Sequence, residues 1–514
     1  MSNQPININM SNSKLLLKKY FDENSIVQSD IESFNDFIDR ELQVIIEENK
    51  EVEPTIIPTN VEDFKIRLDR ITLTKPEITE ADGSKRDLLP SEARLRKLSY
   101  SAPVFLEVSA HVNGVQRESF KTQIGNIPVM LRSKYCHTKG MSKDDLIKAG
   151  EDPSDPGGYF IINGTEKVIV AVEDLAANRF MVEKETTGTS DFVGKIFSEQ
   201  GSYKIPHQIE KMKDEIFYAT FTRVKKIPLI VIIKALGILK DEEIMRLIDL
   251  PNSSEVFINL YEFVDIKTEE DAIDYIAKRI GITQTREIRI ERVREILDKY
   301  LLPHVGLTED AKIMKAQNLC KYLKHYIRVS GGEVPVDDKD NYANKRLKMS
   351  GDLLADLFRV NIKVLIGDML YNFQRIVKRG KFPSIKVIIR EKLLTQRIYS
   401  SMATGNWVGA RKGISQRIER LNFIQMLSAL QRVVSPLSSS QENFEARALH
   451  PTHMGRLCMS ETPEGTNIGL RKNLALLSRI SRNVDEVELL DSLKNIGLDV
   501  VKAKWLTYSW IINL

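Results

Sequence analysis

The sequence predicts an α+β fold, a multidomain protein of mixed helix and strand. The chain has 514 residues, more than one hydrophobic core usually organises, so we expect three or four domains or one large discontinuous domain. Two stretches in the N-terminal third have an Asn-Gly pair between apolar segments, which is typical of β-hairpins. A stretch of 29 residues, 351–379, instead has apolar residues at helical spacing.

The N-terminal third has four recognisable patterns. Residues 1–13 lack an apolar segment and are predicted to form a flexible tail. Residues 34–48 have apolar residues at helical spacing with acidic residues between them, which predicts an amphipathic helix. Residues 104–112 mostly alternate before Asn113-Gly114, and a second hairpin is predicted to turn near Asn163-Gly164.

The middle of the chain mixes strands with amphipathic helices such as 291–301. Residues 351–379 are then predicted to form one helix about 40 Å long, which Gly380 and Pro383 end. Beyond Thr404 the chain is rich in Gly, Pro and Ser, where functional loops are usually found. The apolar stripe of the long helix consists of Leu354, Phe358, Ile362, Leu365, Met369 and Phe373.

Charge is unevenly distributed along the chain. Residues 22–63 hold thirteen acidic and two basic residues, whereas residues 371–432 hold thirteen basic and two acidic residues. A balance of +11 in one segment favours a polyanionic partner over a merely solvated face. Three widely spaced cysteines and the lack of a long apolar run predict a reduced, cytoplasmic protein without a membrane segment.

Residues 442–470 concentrate chemically active side chains, but they do not complete a self-sufficient site. His450, His453 and Cys458 provide three possible zinc ligands, whereas a structural zinc site needs four and usually has paired cysteines. Cys458 and His453 lack an identifiable third group for a nucleophilic site. Glu461 and Glu464 are hard oxygen ligands without an aspartate cluster beside them. We therefore expect no metal ligand and no catalytic residue in this chain.

Contact with nucleic acid is better supported by the residue types. A Gly-rich loop, 401–413, carries Trp407 beside several basic residues, and glycines let a backbone approach a polyanion closely. Arginine guanidinium groups bind phosphate oxygens in bidentate geometry. The alternative is a structural loop with ordinary surface arginines. The basic candidates are Arg411, Lys412, Arg417, Arg420, Arg432, Arg447, Arg456, Arg471 and Lys472.

One stretch, 450–476, has the sequence HPTHMGRLCMSETPEGTNIGLRKNLAL. It resembles the fork signature of the second-largest subunit of multisubunit DNA-directed RNA polymerase, whose usual form contains HPTH, GR, ETPEGPN, GL and NLA. Six further stretches resemble parts of the archaeal form in the same order, so the resemblance extends over about three quarters of the chain. They are RLRKLSYSAPVFLEV, PGGYFIINGTEKV, FTRVKKIPLIVIIKALG, DNYANKRLKMSGDLLADLFR, ATGNWVGARKGISQ and RVVSPLSSSQENFEAR.

The resemblance implies a discontinuous protrusion domain, an inserted lobe and a fork domain. It further implies that the chain is the N-terminal fragment of a subunit that some archaea encode as two polypeptides. The implied domains are the protrusion at 14–175, the lobe at 176–317, the return of the protrusion at 318–395, the fork at 396–480, and the start of a further domain or a divergent tail at 481–514.

The resemblance also implies roles and partners. Arg432, Arg447 and Arg456 would lie near nucleic acid or the incoming nucleotide, and Glu464 and Asn467 would line the wall of the active centre. Mg²⁺ would be held mainly by other subunits, and His450 and His453 would be structural. The first fork loop would contain Gly405, Trp407, Arg411 and Lys412. The implied partners are the C-terminal half of the subunit as a separate chain, the largest subunit, smaller subunits, template and non-template DNA, RNA and nucleoside triphosphates.

Five positions depart from the family pattern. Met459 and Thr466 replace prolines, and Ala448 replaces an aspartate, so we expect a looser loop in which Arg447 is less firmly oriented. Met454 replaces an aromatic residue, and Gln431 replaces an arginine. Two functions stay open: a component of RNA polymerase that separates the DNA strands, or a non-catalytic paralogue or remnant that only binds nucleic acid or assembly partners.

Overall fold

The fold is organised around two large hydrophobic cores, and the first is built from two separate parts of the chain. The computed structural model describes residues 10–57, 61–185, 190–201, 203–222, 224–250, 253–380, 384–481, 486–498, 500–502 and 510–512. Residues between Val27 and Val172 and residues between Leu353 and Met426 form the first core. Residues between Val182 and Val329 form the second core. The predicted α+β class is confirmed.

The N-terminal part of the first core contains both predicted hairpins, with strand pairs β5–β6 and β7–β8 turning at Asn113-Gly114 and Asn163-Gly164. The predicted helix at 34–48 is present as α2 and α3, joined by a π-helical turn, Phe37–Glu41. The helices of this N-terminal part are α1 Met10–Glu23, α2 Gln28–Asp36, α3 Leu42–Glu47, α4 Pro90–Leu95 and α5 Lys143–Lys148. Its strands are β1 Glu51–Val52, β2 Phe64–Leu73, β3 Glu77–Thr79, β4 Lys85–Asp87, β5 Ser101–Val112, β6 Val115–Pro128, β7 Phe160–Ile162, β8 Thr165–Ile169 and β9 Ala171–Leu175.

The second core packs an antiparallel sheet of five strands in sequence order against six helices. Apolar residues fill α6, which is buried along its whole length. The strands are β10 Met181–Lys184, β11 Phe192–Gln200, β12 Tyr203–Lys211, β13 Phe217–Phe221 and β14 Val224–Pro228; the helices are α6 Leu229–Ala235, α7 Asp241–Ile248, α8 Ser254–Glu262, α9 Glu269–Ile280, α10 Arg286–Tyr300 and α11 Lys312–Ser330.

Two predicted boundaries need correction. The boundary at 317 cuts through α11, whose residues Leu319, Leu323 and Val329 are buried in the second core, so the division lies after Ser330. Residues 1–9 of the predicted tail lie outside the described residues, but α1 begins at Met10, inside the predicted tail. In both cases a helix crosses the predicted boundary: α1 begins at Met10, before the boundary at 13, and α11 continues to Ser330, beyond the boundary at 317.

The chain returns to the first core through β15 Lys345–Lys348 and the long helix α12 Ser350–Val377. This helix confirms the prediction for 351–379, and all six residues of its predicted apolar stripe are buried. Gly380 follows the helix with φ +73°, a left-handed conformation that glycine adopts without strain. Pro383, the other predicted helix breaker, lies outside the described residues.

The remaining elements carry the loops of interest. The four-stranded sheet β15-β9-β17-β18 joins both parts of the first core, because β9 comes from the N-terminal part. Two other sheets are β1-β2-β5-β6 and β16-β8-β7. The elements are α13 Ile385–Ile388, α14 Glu391–Thr404, β16 Ser415–Arg417, α15 Phe423–Leu430, β17 Arg432–Val434, α16 Phe444–Arg447, β18 Arg471–Asn473, α17 Glu486–Ile496, β19 Val500–Lys502 and β20 Trp510–Ile512.

Candidate nucleic-acid interface

A buried ion pair lies beneath the candidate interface. Glu173 on β9 and Lys472 on β18 are separated by β17, and the Lys472 ammonium spans it to lie 2.9 Å and 3.0 Å from the two Glu173 carboxylate oxygens. The Tyr342 hydroxyl donates a hydrogen bond to the same carboxylate, and Lys345 Nζ lies 3.7 Å from it. Both carboxylate oxygens of Glu173 therefore accept hydrogen bonds, which offsets the cost of burying this charge.

The pKa of the Glu173 carboxyl lies below its ordinary value. Burial alone would raise this pKa, but the attraction of the Lys472 and Lys345 ammonium groups outweighs burial, with the Tyr342 hydrogen bond adding to it. Lys472 was predicted to be a candidate for nucleic-acid contact, and this prediction was wrong. Its ammonium is committed to Glu173 and its side chain is buried.

The side chains of His450 and His453 connect the 450–453 turn to the segment before β15. His450 Nε2 lies 2.9 Å from Asp338 Oδ2, and its Nδ1 lies 2.7 Å from Thr452 Oγ1, so both ring nitrogens have protein partners. The His453 ring packs edge-to-face on Tyr342 with 4.8 Å between centroids. Burial, with repulsion from Lys472, lowers the pKa of His453 to about 4, so this ring is neutral near pH 7. These contacts support the structural role inferred for both histidines.

The acidic run 337–340 is part of this connection. Asp338 contacts His450, Asp337 lies 2.8 Å from His325, and Asp340 lies 3.2 Å from the Lys345 ammonium. The Thr452 hydroxyl accepts a hydrogen bond from the backbone N–H of Tyr342. The segment therefore joins the second core to the loop at 450–453 through side-chain contacts.

The first loop, 405–413, is anchored by a buried tryptophan. Trp407 is 7% exposed and donates its indole N–H to the Leu353 carbonyl of α12, 2.8 Å away. Gly405 has φ +79°, and a Cβ there would lie 2.8 Å from the Ser415 carbonyl oxygen, which favours glycine at this turn. Trp407 therefore positions the loop, and its ring is not available for stacking on a base in this conformation.

The two basic residues of this loop differ in their surroundings. Arg411 donates to Asp174, with Nη2 2.7 Å from Oδ2, and Lys204 of β12 approaches the same oxygen at 3.0 Å. Lys412 is exposed. Lys412 therefore faces solvent, whereas Arg411 is held by the Asp174 carboxylate. The carboxylate of Asp174 also links this loop to the second core through β12.

Arg447 joins two surface loops by hydrogen bonds to main-chain carbonyls. Its Nη1 donates to Thr466 and Ile468 at 2.7 Å and 3.0 Å, and its Nη2 donates to Ser439 and Gln441 at 2.9 Å and 3.3 Å. Ala448 was expected to leave this arginine less firmly oriented than a neighbouring carboxylate would. The four carbonyl acceptors orient the guanidinium without a neighbouring carboxylate.

The tight loop contact at Arg447 depends on a glycine. A Cβ at Gly469 would lie 2.2 Å from the Arg447 carbonyl oxygen, and Gly469 has φ +71°, so a side chain here would push the loops apart. The loops at 438–441 and 466–469 therefore form one surface, which we call the joined loops. Arg447 is a positioning residue of this surface.

The other predicted site residues occupy three positions. Arg432 begins β17, is half-buried, and donates to the Gln416 side chain at 2.9 Å. Arg456 is exposed and donates to the Thr452 carbonyl at 3.1 Å. Glu464 is exposed, and half-buried Asn467 ends the 3₁₀ turn Gly465–Asn467 of the joined loops. The sheet thus places Arg432 opposite Asn473 of β18, and Arg456 follows the 450–453 turn.

Arg471 lies beside Arg432, and the sequence had identified it only as one of several basic candidates. Arg432 pairs with Asn473, two residues from Arg471, so both arginine side chains lie on one face of the sheet. Burial, with repulsion from Arg471, lowers the pKa of Arg432. The sequence signal was the alternation RKN, which places Arg471 and Asn473 on the face opposite Lys472.

Arg420 was expected at a nucleic-acid surface; it is exposed, and its guanidinium takes part in an ion cluster. Its guanidinium contacts Asp155 at 2.8 Å and Glu166 at 2.5 Å. Arg94 contacts Glu166 and Glu151 in the same cluster, at 2.8 Å and 2.7 Å. The distant carboxylates that bind Arg420 could not be identified from local sequence.

Glu461 and Glu464, which precede the 466–469 loop, do not fit a Mg²⁺ site. Glu461 accepts a hydrogen bond from the Ser428 hydroxyl, and Glu464 is exposed at the start of the 3₁₀ turn. Among the residues that the structure describes, no group of three or more His, Cys, Asp or Glu side chains is placed to hold a metal ion.

The chain is similar to known proteins over most of its length. The sequence model described as RNA polymerase beta subunit matches residues 25–396, and that described as RNA polymerase Rpb2, domain 3, matches residues 416–480. DNA-directed RNA polymerase subunit Rpo2 of Saccharolobus shibatae is 42% identical over 487 residues, which are 94% of this chain and 43% of that protein. The chain thus spans less than half of this relative.

Two relatives named DNA-directed RNA polymerase subunit Rpo2N are covered almost completely. The protein from Methanocaldococcus jannaschii is 41% identical over 495 residues, which are 94% of this chain and 99% of that protein. The protein from Halobacterium salinarum is 38% identical over 498 residues, which are 94% of this chain and 95% of that protein. The chain therefore belongs to the RNA polymerase beta subunit family and corresponds to the N-terminal half of the archaeal second-largest subunit.

Proposed function

We propose that this chain is a component of DNA-dependent RNA polymerase that contributes a nucleic-acid-facing wall at the fork, where the DNA strands separate. The observation that carries the proposal is the Arg447 bridge, which holds two exposed loops together as one surface. Arg432, Arg456, Glu464 and Asn467 belong to this surface or its base. A preorganised cationic surface positions phosphate groups at low entropic cost.

The proposal assigns the chemistry of nucleotidyl transfer to an assembled enzyme. Template-directed RNA synthesis from ribonucleoside triphosphates uses Mg²⁺ and positioned cations, and we place the metal ligands mainly in other chains. The proposed partners are the C-terminal half of the subunit as a separate chain, the largest subunit and smaller subunits. Template and non-template DNA, RNA and nucleoside triphosphates are the proposed ligands of the complex.

The proposed setting is the cytoplasm. Within the described residues, no helix combines the length and the apolar character needed to cross a bilayer. Cys136 and Cys320 are buried free thiols, and Cys458 is a partly buried free thiol. Free thiols are compatible with a reducing compartment, which supports the proposed location.

Reconstitution tests the proposal. The full chain is co-expressed with the C-terminal half and the other polymerase subunits from the same source, and stoichiometry and template-directed RNA synthesis are measured. We expect incorporation at one copy per enzyme and synthesis that depends on this chain. Failure to join the complex would overturn the proposal, and assembly without synthesis would support the non-catalytic alternative instead.

Variants of the assembled enzyme locate the contact. Because Arg456 is exposed, Arg456→Ala is expected to weaken DNA binding and reduce the slope of log K against log salt by about 1 if it contacts one phosphate. Arg292→Ala, at an exposed arginine of α10 outside the basic segment 371–432, is the matched control and is expected to leave the slope unchanged. Equal effects of the two substitutions would contradict the placement of the wall.

A further inference from the structure

A groove between α7 and α8 of the second core has an apolar floor open to solvent. The floor is formed by Met245, Phe257, Leu260, Tyr261 and Val264. Tyr261 is 81% exposed, Phe257 is 53% exposed and Val264 is 48% exposed. Exposed apolar side chains grouped around one concavity indicate an interaction surface more strongly than scattered ones do.

The helix α8 has two apolar faces, and only one of them packs in the second core. Val256 and Leu260 are buried in the second core. Phe257, Tyr261 and Val264 follow the spacing i, i+4, i+7, which places them along an outward stripe that continues just past the helix end. Packing within this chain does not require the second stripe. A stripe of this spacing beside a groove is the arrangement by which helical segments of partners are bound.

The surroundings of the groove are strongly acidic. Residues 241–265 contain seven acidic residues and one basic residue. Three of the acidic residues are neutralised from within the fold, since Lys234 lies 3.1 Å from Asp241, Lys324 lies 2.7 Å from Asp249 and Lys211 lies 2.9 Å from Glu255. Among the described residues, no basic side chain forms an ion pair with the other four acidic residues. These four are Glu242, Glu243, Glu262 and Asp265.

We propose that the α7–α8 groove binds a basic amphipathic helix of a protein partner. The apolar ridge of that helix would enter the groove beside Phe257 and Tyr261. Its lysine or arginine side chains would lie near Glu242 and Glu262, where the uncompensated negative charge favours a cationic partner and disfavours nucleic acid. This surface is separate from the joined loops, so the inference does not depend on the proposed function.

Peptide binding to the full chain tests this inference. The probe is a fluorescein-labelled designed helix of about four turns with leucines on one face and lysines elsewhere. One comparison peptide has glutamate in place of every lysine, and another keeps the lysines but scrambles the leucine positions. Fluorescence anisotropy is expected to show binding of the first peptide at least about tenfold tighter than either comparison.

Variants identify the surface that binds the probe. Tyr261→Ser and Glu262→Lys are each expected to weaken binding of the lysine peptide by about fivefold or more. Tyr371→Ser is the matched control, because Tyr371 is also exposed, at 63%, and lies on α12 away from the groove. Tyr261 is 81% exposed, so Tyr261→Ser is expected to keep the circular dichroism spectrum of the wild-type chain.

Three outcomes would overturn the proposal. Equal binding of the glutamate or scrambled peptide would show that charge or the helical stripe does not select the ligand. Binding unaffected by Tyr261→Ser and Glu262→Lys would place the probe elsewhere. Sedimentation showing self-association that Tyr261→Ser abolishes would assign the face to a second copy of this chain.

Discussion

Glu173 and Lys472 lie 299 positions apart in sequence and form a buried ion pair, with Lys472 Nζ 2.9 Å from Glu173 Oε1. The two side chains come from strands on either side of β17, so the pair connects the N-terminal part of the first core to the end of the fork signature. The 466–469 loop is followed by β18, which carries Lys472. The strand after this loop is therefore held by a carboxylate that is distant in sequence.

Removing the cation is expected to destabilise this sheet. Lys472→Met would leave the Glu173 carboxylate, whose side chain is 3% exposed, with only the more distant Lys345 ammonium and Tyr342. Breaking a buried pair in this way costs about 3–5 kcal/mol. Native-state hydrogen exchange of peptides from β17 and β18 measures the change locally, which suits a chain with two cores.

The double substitution Glu173→Gln with Lys472→Met is the control for this prediction. It removes both charges, so it is expected to cost less than the sum of the two single substitutions. A change below about 1 kcal/mol in Lys472→Met would contradict the inference that the pair supports the sheet.

Trp407 is expected to hold the first loop through both its ring and its N–H group. Trp407→Phe removes the hydrogen bond to the Leu353 carbonyl but keeps much of the ring, so a loss of about 1 kcal/mol is expected. Trp407→Ala also leaves a cavity and is expected to cost about 3–5 kcal/mol. Hydrogen exchange of residues 405–413 measures both. Unchanged exchange in Trp407→Phe would contradict a role for the indole N–H, and equal effects of the two substitutions would contradict a role for the ring.

Local sequence predicted the elements of the fold better than it predicted which charges face solvent. The hairpins and the long helix follow from side-chain periodicity, which depends only on neighbours along the chain. The ion pairs of Arg420 and Lys472 could not be predicted because their partners Asp155 and Glu173 lie far away in sequence. The hydrogen bonds of Arg447 could not be predicted because its acceptors are main-chain carbonyls, which every residue provides and no residue type reveals.

The role of Arg447 can be separated from that of Arg456. Arg447→Lys keeps the charge but loses the planar group that reaches four carbonyls on two loops. We expect hydrogen exchange of residues 438–441 and 466–469 to become about tenfold faster. Arg456→Lys changes a residue with one carbonyl contact and is expected to leave these loops protected. Similar exchange in both variants would contradict the bridging role.

Asp174 is expected to hold the first loop and β12 together. Arg411 and Lys204 share its carboxylate, and their attraction lowers the pKa of Asp174 below its ordinary value although burial opposes this. Asp174→Asn keeps the shape but removes the charge, so exchange of residues 203–205 and 411–413 is expected to accelerate together. Asp214→Asn, which removes a carboxylate on the exposed turn before β13, is the control. Acceleration of only one segment in Asp174→Asn would contradict the link.

The stability of the second core is expected to fall below neutral pH because of His207. His207 Nδ1 lies 3.0 Å from the Ile205 carbonyl oxygen, and Nε2 lies 3.1 Å from both the Leu302 backbone nitrogen and the Tyr300 carbonyl oxygen. Burial lowers the pKa of His207 from 6.5 to about 4, so between these values the unfolded chain binds a proton that the folded chain does not. Stability then rises with pH through this window.

The predicted contribution of this ring is about 1.4 kcal/mol per pH unit between pH 4.5 and 6. Urea unfolding at several pH values, followed by pulsed hydrogen exchange of peptides from β11 and β12, measures the slope. His207→Gln cannot be protonated and is expected to reduce the slope by that amount, whereas His111→Gln, at the tip of the β5–β6 hairpin, should leave it unchanged. A His207→Gln slope equal to that of the wild-type chain would show that protonation of His207 does not limit the acid stability of this core.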